Sequence, residues 1–224
     1  IMVKNIKKVA VLGSGIMGSG IACHLANVGI EVLLLDIIPE NFKTSQNKNE
    51  RNSIVNKALT AAVKSKPSPL YAKNKLSNIT TGNFGDDFEK IENCDWIIEV
   101  VVERLDIKNI IFEKVDQFRK QGSIVSSNTS GIPINSMLEE RTDDFKTHFL
   151  GTHFFNPPRY LRLLEIIPTN FTDKNVIDFM LEFGSKILGK TTVLCKDTPA
   201  FIANRVGVFA IQELFHIVHE MDLS

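Results

Sequence analysis

The sequence predicts an α/β fold built on a doubly wound sheet, and three observations carry that reading. Residues 8–36, KVAVLGSGIMGSGIACHLANVGIEVLLLD, compress a strand, a glycine-rich turn, a helix, a second strand and a terminal carboxylate into one unit of βαβ size. Short apolar runs recur downstream, separated by segments of helical periodicity, which is the alternation of a mainly parallel sheet. The 224 residues, 43% of them hydrophobic, suffice for one large domain or one and a fraction.

The apolar run at residues 9–12 reads as a buried strand, and Gly13-x-Gly15-x-x-Gly18 follows at once. Gly13 allows a tight turn, Gly15 lets backbone approach a pyrophosphate, and Gly18 lets the helix pack on the strand. Ile16, Met17, Ile21, Ala22, Leu25 and Ala26 recur at helical spacing, and Gly29 closes the helix. The head of that helix, at Ile16 and Met17, points unpaired N–H groups and a positive dipole end at the phosphates. Residues 32–35 form the next strand, which ends in Asp36. A carboxylate there accepts hydrogen bonds from both ribose hydroxyls. Its charge repels a 2′-phosphate, and Ile37 and Ile38 offer no guanidinium to bind one. The unit therefore predicts a Rossmann-type site that takes NAD rather than NADP.

After Asp36 the pattern changes. Residues 39–90 are polar and lysine-rich, broken by KSKPSP at 64–69, and residues 52–65 read as a moderately amphipathic helix. Two successive strands need no such length between them, so a helical insertion is expected at about 41–77. It is either a solvated loop or a lid, a cationic ledge for an anionic substrate. Sheet logic resumes with WIIEVVV at 96–102, then a helix at 106–119 with Ile107, Ile110, Ile111, Val115 and Phe118 on one face. A strand at 123–127 and a short helix at 133–139 follow, Pro133 suiting its first turn. Strands at 149–154 and 163–167, a helix at 173–183 stopped by Gly184, and a strand at 191–195 complete the pattern. Ligands of such sheets bind beyond the carboxyl ends of the strands. The turns to inspect therefore read GSGIMG, ERLDIK, NTSG and FNPP.

Composition narrows the partners. With 26 basic and 26 acidic residues the formal net charge is zero, which argues against a nucleic-acid surface or a polybasic membrane contact. No apolar segment is long enough to span a bilayer. The opening IMVKNIKK runs straight into the first strand, leaving no room for a signal peptide. Cys23, Cys94 and Cys195 are widely spaced in apolar or strand-like contexts. They read as buried reduced thiols of a cytoplasmic protein rather than a disulfide, a metal site or a nucleophile.

His153 ends an apolar strand, and Glu165 sits within LLEII. A carboxylate inside a buried strand is costly unless paired, and a histidine is a natural partner. Such a carboxylate fixes the imidazole tautomer and stabilises the imidazolium, which suits a base that takes the hydroxyl proton during alcohol oxidation. In the alternative arrangement His153 is a satisfied core residue and Glu165 faces solvent at a sheet edge.

Four further stretches, SSNTSG at 126–131, GTHFFNP at 151–157, LLEII at 163–167 and KDTPAFIANR at 196–205, follow GSGIMG in a fixed order. In this set the chain resembles the L-3-hydroxyacyl-CoA dehydrogenases over nearly its whole length, in particular the dehydrogenase portion of bacterial fatty-acid β-oxidation proteins. The resemblance implies NAD-dependent, reversible oxidation of an L-3-hydroxyacyl-CoA to the 3-ketoacyl-CoA. It implies His153 as catalytic base, Glu165 as its orienting partner, and Ser130 and Asn204 as contacts to the reacting substrate oxygen. Glu103, Lys108 and Asn156 match contacts near the cofactor. Taken alone, Ser130 also reads as a turn residue, Asn204 as a helix-surface residue and Lys108 as a solvated first-turn lysine. The insertion resembles a helical hairpin lying over CoA, with Lys64 and Lys66 placed to meet its phosphates. The resemblance further implies a homodimer formed through a helical second domain and, in some relatives, a fused enoyl-CoA hydratase. Residues 1–197 are then the NAD-binding domain and 198–224 the first helix of a truncated all-α domain. A short-chain 3-hydroxybutyryl-CoA enzyme, and an NAD-binding fragment without turnover, are the rival readings.

Overall fold

The computed structural model describes residues 5–222. Eight strands form one sheet: β1 (Lys8–Leu12), β2 (Glu31–Asp36), β3 (Ile79–Asn83), β4 (Trp96–Glu99), β5 (Ile124–Ser127), β6 (Phe149–Phe154), β7 (Leu163–Pro168) and β8 (Thr191–Leu194). Their order is β3-β2-β1-β4-β5-β6-β7-β8. The first six run parallel, which sets the carboxyl ends of β1, β4, β5 and β6 along one edge. β7 then turns back antiparallel to β6, and β8 runs parallel to β7. The reversal follows from chain length: residues 155–162 are too few for a parallel crossover, which needs about a dozen or more.

Helices cover both faces. Val9 and Val11 point into a cluster shared with α1 (Ile16–Asn27), α3 (Ser53–Lys64) and α6 (Lys174–Lys186). Their neighbours Ala10 and Leu12 point into a second cluster with α4 (Leu105–Phe118) and α5 (Asp143–Thr147). The period-two alternation of a strand thus feeds two cores, which is why the strands read as unbroken apolar runs. A short α2 (Lys48–Arg51) precedes α3, and α7 (Ala203–Glu220) closes the described chain. Gly29, at φ +87°, ends α1 as expected: its N–H reaches Ala26 O and that of Ile30 reaches Leu25 O.

The doubly wound expectation holds, with several corrections of detail. β3 was not foreseen, because ITTGN is a short, polar edge strand. The strand expected at 96–102 stops at Glu99, whose side chain accepts from the Val101 N–H and turns the chain out of the sheet. On α4 the apolar face includes Phe112 at full burial, whereas Ile110 is 56% exposed. The turn at Ile134–Met137 is 3₁₀ rather than α, with Pro133 just ahead of it. Gly184 does not stop α6 but lies inside it. A Cβ there would come within 2.5 Å of Thr192 Cγ2, so the glycine lets the helix lie against the sheet. The sharp turn falls later, at Gly189 with φ +65°. All three cysteines are free and buried. Burial pushes the thiols of Cys23 up to about 11 and of Cys94 and Cys195 to about 12. Helix α7 has no buried residue, and its Val206, Phe209, Leu214 and Phe215 are largely exposed.

His24 on α1 is buried, with Nε2 3.0 Å from Leu188 O and Nδ1 without a partner. Burial, helped by the nearby Lys190 ammonium, holds its pKa down at about 4 against an ordinary 6.5. Between those values the unfolded chain binds a proton that the native imidazole refuses, so stability is complete above pH 6.5 and is lost as pH falls. Urea unfolding should register a loss of about 3 kcal/mol from this group on going from pH 7 to pH 4. His24→Gln should flatten that acid limb; an unchanged pH profile in the variant would refute the assignment.

Candidate active site

The glycine-rich turn separates what the protein requires from what a ligand requires. Gly13 has φ +107°, and a Cβ on it would lie 2.6 Å from Val100 O. On Gly18 a Cβ would strike Gly13 O at 1.9 Å, so helix and turn meet here backbone to backbone. Gly15 differs: a Cβ would meet nothing within 4 Å. No packing explains a glycine there, whereas the close approach of a phosphate does. The head of α1 carries no side-chain cap, which leaves its N–H groups facing the same space. Ile16 is 80% exposed beside it, while Met17 packs on the core. At the end of β2, Asp36 accepts from Ser14 N at 2.7 Å through Oδ2 and from Ile37 N at 2.7 Å through Oδ1. These residues fit the adenosine diphosphate half of a dinucleotide. A cleft of about 560 Å³ opens alongside, between the Ser14–Gly20 stretch, α3 with Lys66 and Pro67, and the turn of Asn156, Pro157 and Pro158.

Farther along the same edge, register brings His153 and Glu165 together. The antiparallel β6–β7 pair sets their Cα atoms directly opposite one another. His153 Nδ1 lies 2.7 Å from Glu165 Oε2, and both residues are buried. Glu165 therefore does not face solvent. Since a carboxylate only accepts, Nδ1 carries the proton and Nε2 presents its lone pair. Ser130 Oγ stands 3.0 Å from that Nε2. The other carboxylate oxygen, Oε1, accepts from the N–H groups of Ile202 (3.1 Å) and Ala203 (2.8 Å) at the head of α7. The rings of Phe155 and Phe201 flank the imidazole at 4.4 and 5.6 Å between centroids.

A second buried network supports the turn that bears Ser130. Lys108 is 1% exposed, its Nζ 2.7 Å from Glu99 Oε1 and 3.3 Å from Glu103 Oε2. Glu99 also accepts from Ser127 Oγ. Burial pushes the Glu99 carboxyl up, and the Lys108 ammonium opposes it. Glu103 accepts from Thr129 Oγ1 and from the N–H groups of Ser130 and Gly131. Against the effect of its partial burial, these bonds and Lys108 hold the Glu103 carboxyl below its usual range. Lys108 is thus no solvated lysine.

Asn204 is the second residue of α7 and half-buried, and Asn156 lines the cleft. Sequence reading passed over Glu99, although it too is an acid at the end of an apolar strand. It also passed over Asn128, whose Oδ1 takes the Phe154 N–H, and over Phe201. Among the described residues there is no group of three side chains suited to a metal, and no helix is long and apolar enough to cross a membrane.

A sequence-family model described as 3-hydroxyacyl-CoA dehydrogenase, NAD binding domain, matches residues 8–198, from the start of β1 to just ahead of α7. The chain belongs to the 3-hydroxyacyl-CoA dehydrogenase family. It is 55% identical to a probable 3-hydroxyacyl-CoA dehydrogenase of Bacillus subtilis, over 94% of this chain and 28% of that protein. It is 46% identical to a putative fatty acid oxidation complex trifunctional enzyme of Rickettsia felis, again over 94% of this chain and 28% of the relative. The chain thus spans under a third of either relative. The crystal structure of (S)-3-hydroxybutyryl-CoA dehydrogenase from Ralstonia eutropha superposes with a TM-score of 0.78 at 27% identity, over 98% of this chain and 74% of that one. As an NAD-binding domain of the 3-hydroxyacyl-CoA dehydrogenase family, the chain has the cofactor class that Gly15 and Asp36 predict.

The two glycines can be told apart by experiment. Gly15→Val should leave the melting temperature nearly unchanged and weaken NADH binding by at least about tenfold in a fluorescence titration. Gly18→Ala should instead destabilise the fold itself by roughly 1–3 kcal/mol, the usual cost of overpacking. Equal effects of both changes on stability would contradict the division.

Proposed function

We propose that this chain is the cofactor-binding and base-bearing part of an enzyme that reversibly oxidises an L-3-hydroxyacyl-CoA to the 3-ketoacyl-CoA in fatty-acid β-oxidation. The observation that carries the reading is the buried His153–Glu165 pair, with Nε2 beside the Ser130 hydroxyl at the carboxyl edge of the parallel strands. NAD⁺ supplies the hydride acceptor. His153 takes the hydroxyl proton at Nε2 and returns it in the reverse direction. Glu165 keeps the other ring nitrogen protonated and offsets the charge that the imidazole gains. Ser130, within hydrogen-bond distance of Nε2, holds the substrate oxygen at the base, and Asn204 positions the same group. Glu103, Lys108 and Asn156 serve the nicotinamide side. Each oxidation releases one net proton, which the imidazolium holds against Glu165 until it passes to solvent before the next turnover.

Residues 1–197 form the NAD-binding domain in this proposal, and 198–224 open a helical second domain that completes the substrate cleft and forms a homodimer. The exposed apolar residues of α7 support a partner on that helix. The Rickettsia felis relative, named a trifunctional enzyme, supports a setting with further activities such as an enoyl-CoA hydratase. Buried reduced thiols suit a cytoplasmic setting. The likeness to a 3-hydroxybutyryl-CoA dehydrogenase structure favours short acyl chains as the second reading. NADH formation by a chain carrying the helical domain, measured with acyl groups of several lengths, distinguishes the two, and the same assay on residues 1–224 alone exposes any lack of turnover there.

Two outcomes follow for the site. His153→Ala should lower kcat roughly 10²–10⁴-fold with little change in NADH affinity, and Glu165→Gln should lower kcat as well. Near-normal turnover by His153→Ala would sink the mechanism. Because Asp36 repels a 2′-phosphate, NADH should bind at least about tenfold more tightly than NADPH, and Asp36→Ala should narrow the gap by weakening NADH. Coincident titration curves for the two nucleotides on the parent chain would exclude this.

A further inference from the structure

The β6–β7 connection, residues 155–162, joins the base to its orienting carboxylate, and it is held from two sides by contacts that the proton transfer does not use. From below comes Lys190, buried at 5% exposure. Its ammonium donates to the carbonyl oxygens of Pro158 and, at 2.8 Å, of Leu161. With its underside fixed in this way, the turn projects Arg159 and Tyr160 away from the sheet.

Those two side chains cross to the helical insertion. Arg159 Nη1 donates to Ser68 O at 2.6 Å and to Leu70 O at 3.0 Å, and the Tyr160 hydroxyl donates to Ser68 O at 2.9 Å. The guanidinium lies over two rings, its Cζ 4.3 Å from the Tyr71 centroid and 4.9 Å from that of Tyr160. The far side of the bridge is anchored in turn. Asn27 on α1, buried, donates to Pro69 O and accepts from Tyr71 N, each at 2.8 Å. The stretch from Ser68 to Tyr71 is therefore clamped between α1 and the catalytic hairpin.

These two segments are opposing walls of the cleft beside Gly15. Pro67 and Pro69 stand on one wall with Ala58 and Ala62 of α3, and Pro157, Pro158 and Tyr160 stand on the other. Among the described residues, only the Arg159 and Tyr160 side chains span the walls by hydrogen bonds to main-chain carbonyls. Arginine suits the task better than lysine, since one nitrogen of the guanidinium serves both acceptors while its planar faces stack on two rings.

We propose that Arg159 is a positioning residue for the acyl-CoA substrate, fixing the separation of the two cleft walls before substrate arrives. The inference rests on the reaction proposed above for its substrate class. It assigns Arg159 no part in the chemistry: loss of the bridge loosens the wall at 65–71, weakens acyl-CoA binding and leaves hydride and proton transfer intact.

The test uses the protein with its helical second domain, as parent, Arg159→Leu and Arg159→Lys. Acetoacetyl-CoA is titrated calorimetrically, KM and kcat are measured with a 3-hydroxyacyl-CoA at saturating NAD⁺, and amide exchange is followed at residues 68–71. For Arg159→Leu, acetoacetyl-CoA affinity should fall and KM rise by at least about tenfold. Its kcat should stay near the parent value, and exchange at 68–71 should accelerate. Arg159→Lys should recover part of the affinity. Parent-like binding and exchange in Arg159→Leu would overturn the role of Arg159, as would a fall in kcat with KM unchanged. Failure of the parent itself to bind acetoacetyl-CoA would overturn the substrate class, and this role with it.

Discussion

The Glu165 carboxylate is where three elements meet. One oxygen holds His153 across the β6–β7 pair, and the other accepts two N–H groups at the head of α7. A carboxylate this deeply buried would be untenable alone, since burial of an unpaired charge costs several kcal/mol. Helix α7 supplies what is missing: unsatisfied donors and the positive end of a dipole. The chain accepts strain to deliver them. Ala200 and Phe201 sit at φ +63° and +48°, a conformation that costs about 1–3 kcal/mol per residue and persists where the surroundings enforce it. Here Asp197, bonded to the N–H groups of Ile134 and Asn135, pins one end of the segment, and Glu165 pins the other. Phe201 is thereby driven against the imidazole.

The Glu99–Lys108 pair does for the Ser130 turn what Glu165 does for the imidazole. Both acids stand near strand ends on the same edge of the sheet, and each accepts from backbone N–H as well as from its side-chain partner. Lys108 is shared with Glu103, which gathers the N–H groups of Ser130 and Gly131. Removing one member of such a pair strands the other, typically at about 3–5 kcal/mol, so these networks resist piecemeal change. What results is a fixed hydroxyl 3.0 Å from a fixed ring, an arrangement that requires no rearrangement to form.

The parts legible in the sequence were those with a local cause. Gly13, Gly15 and Gly18 announce a turn because each answers a steric demand within a few residues. β1 and β2 announce themselves because burial on both faces leaves no polar residue to blur the run. The pairing of His153 with Glu165 rested on the cost of a buried carboxylate and on resemblance, and a further physical signal was present: the connection at 155–162 is too short for a crossover, so an antiparallel pair was the available arrangement. Gly184 misled because its cause is not local; the glycine answers to Thr192 on a different element. β3 was hidden because an edge strand owes its place to β2 rather than to its own composition. Glu99 was overlooked within WIIEVVV because the ammonium that neutralises it comes from the next helix.

The three buried thiols have a use of another kind. With pKa values of about 11–12, on the order of one in 10⁴–10⁵ of each is thiolate at neutral pH, and none is accessible in the folded state. Alkylation must therefore wait for the chain to open. Cys23 projects from α1 into the core shared with α6, whereas Cys94 and Cys195 lie in the core on the opposite face of the sheet. Their modification rates form a set of internal clocks, one on the first face and two on the second, and a difference among them reports which face of the sheet loses its cover first.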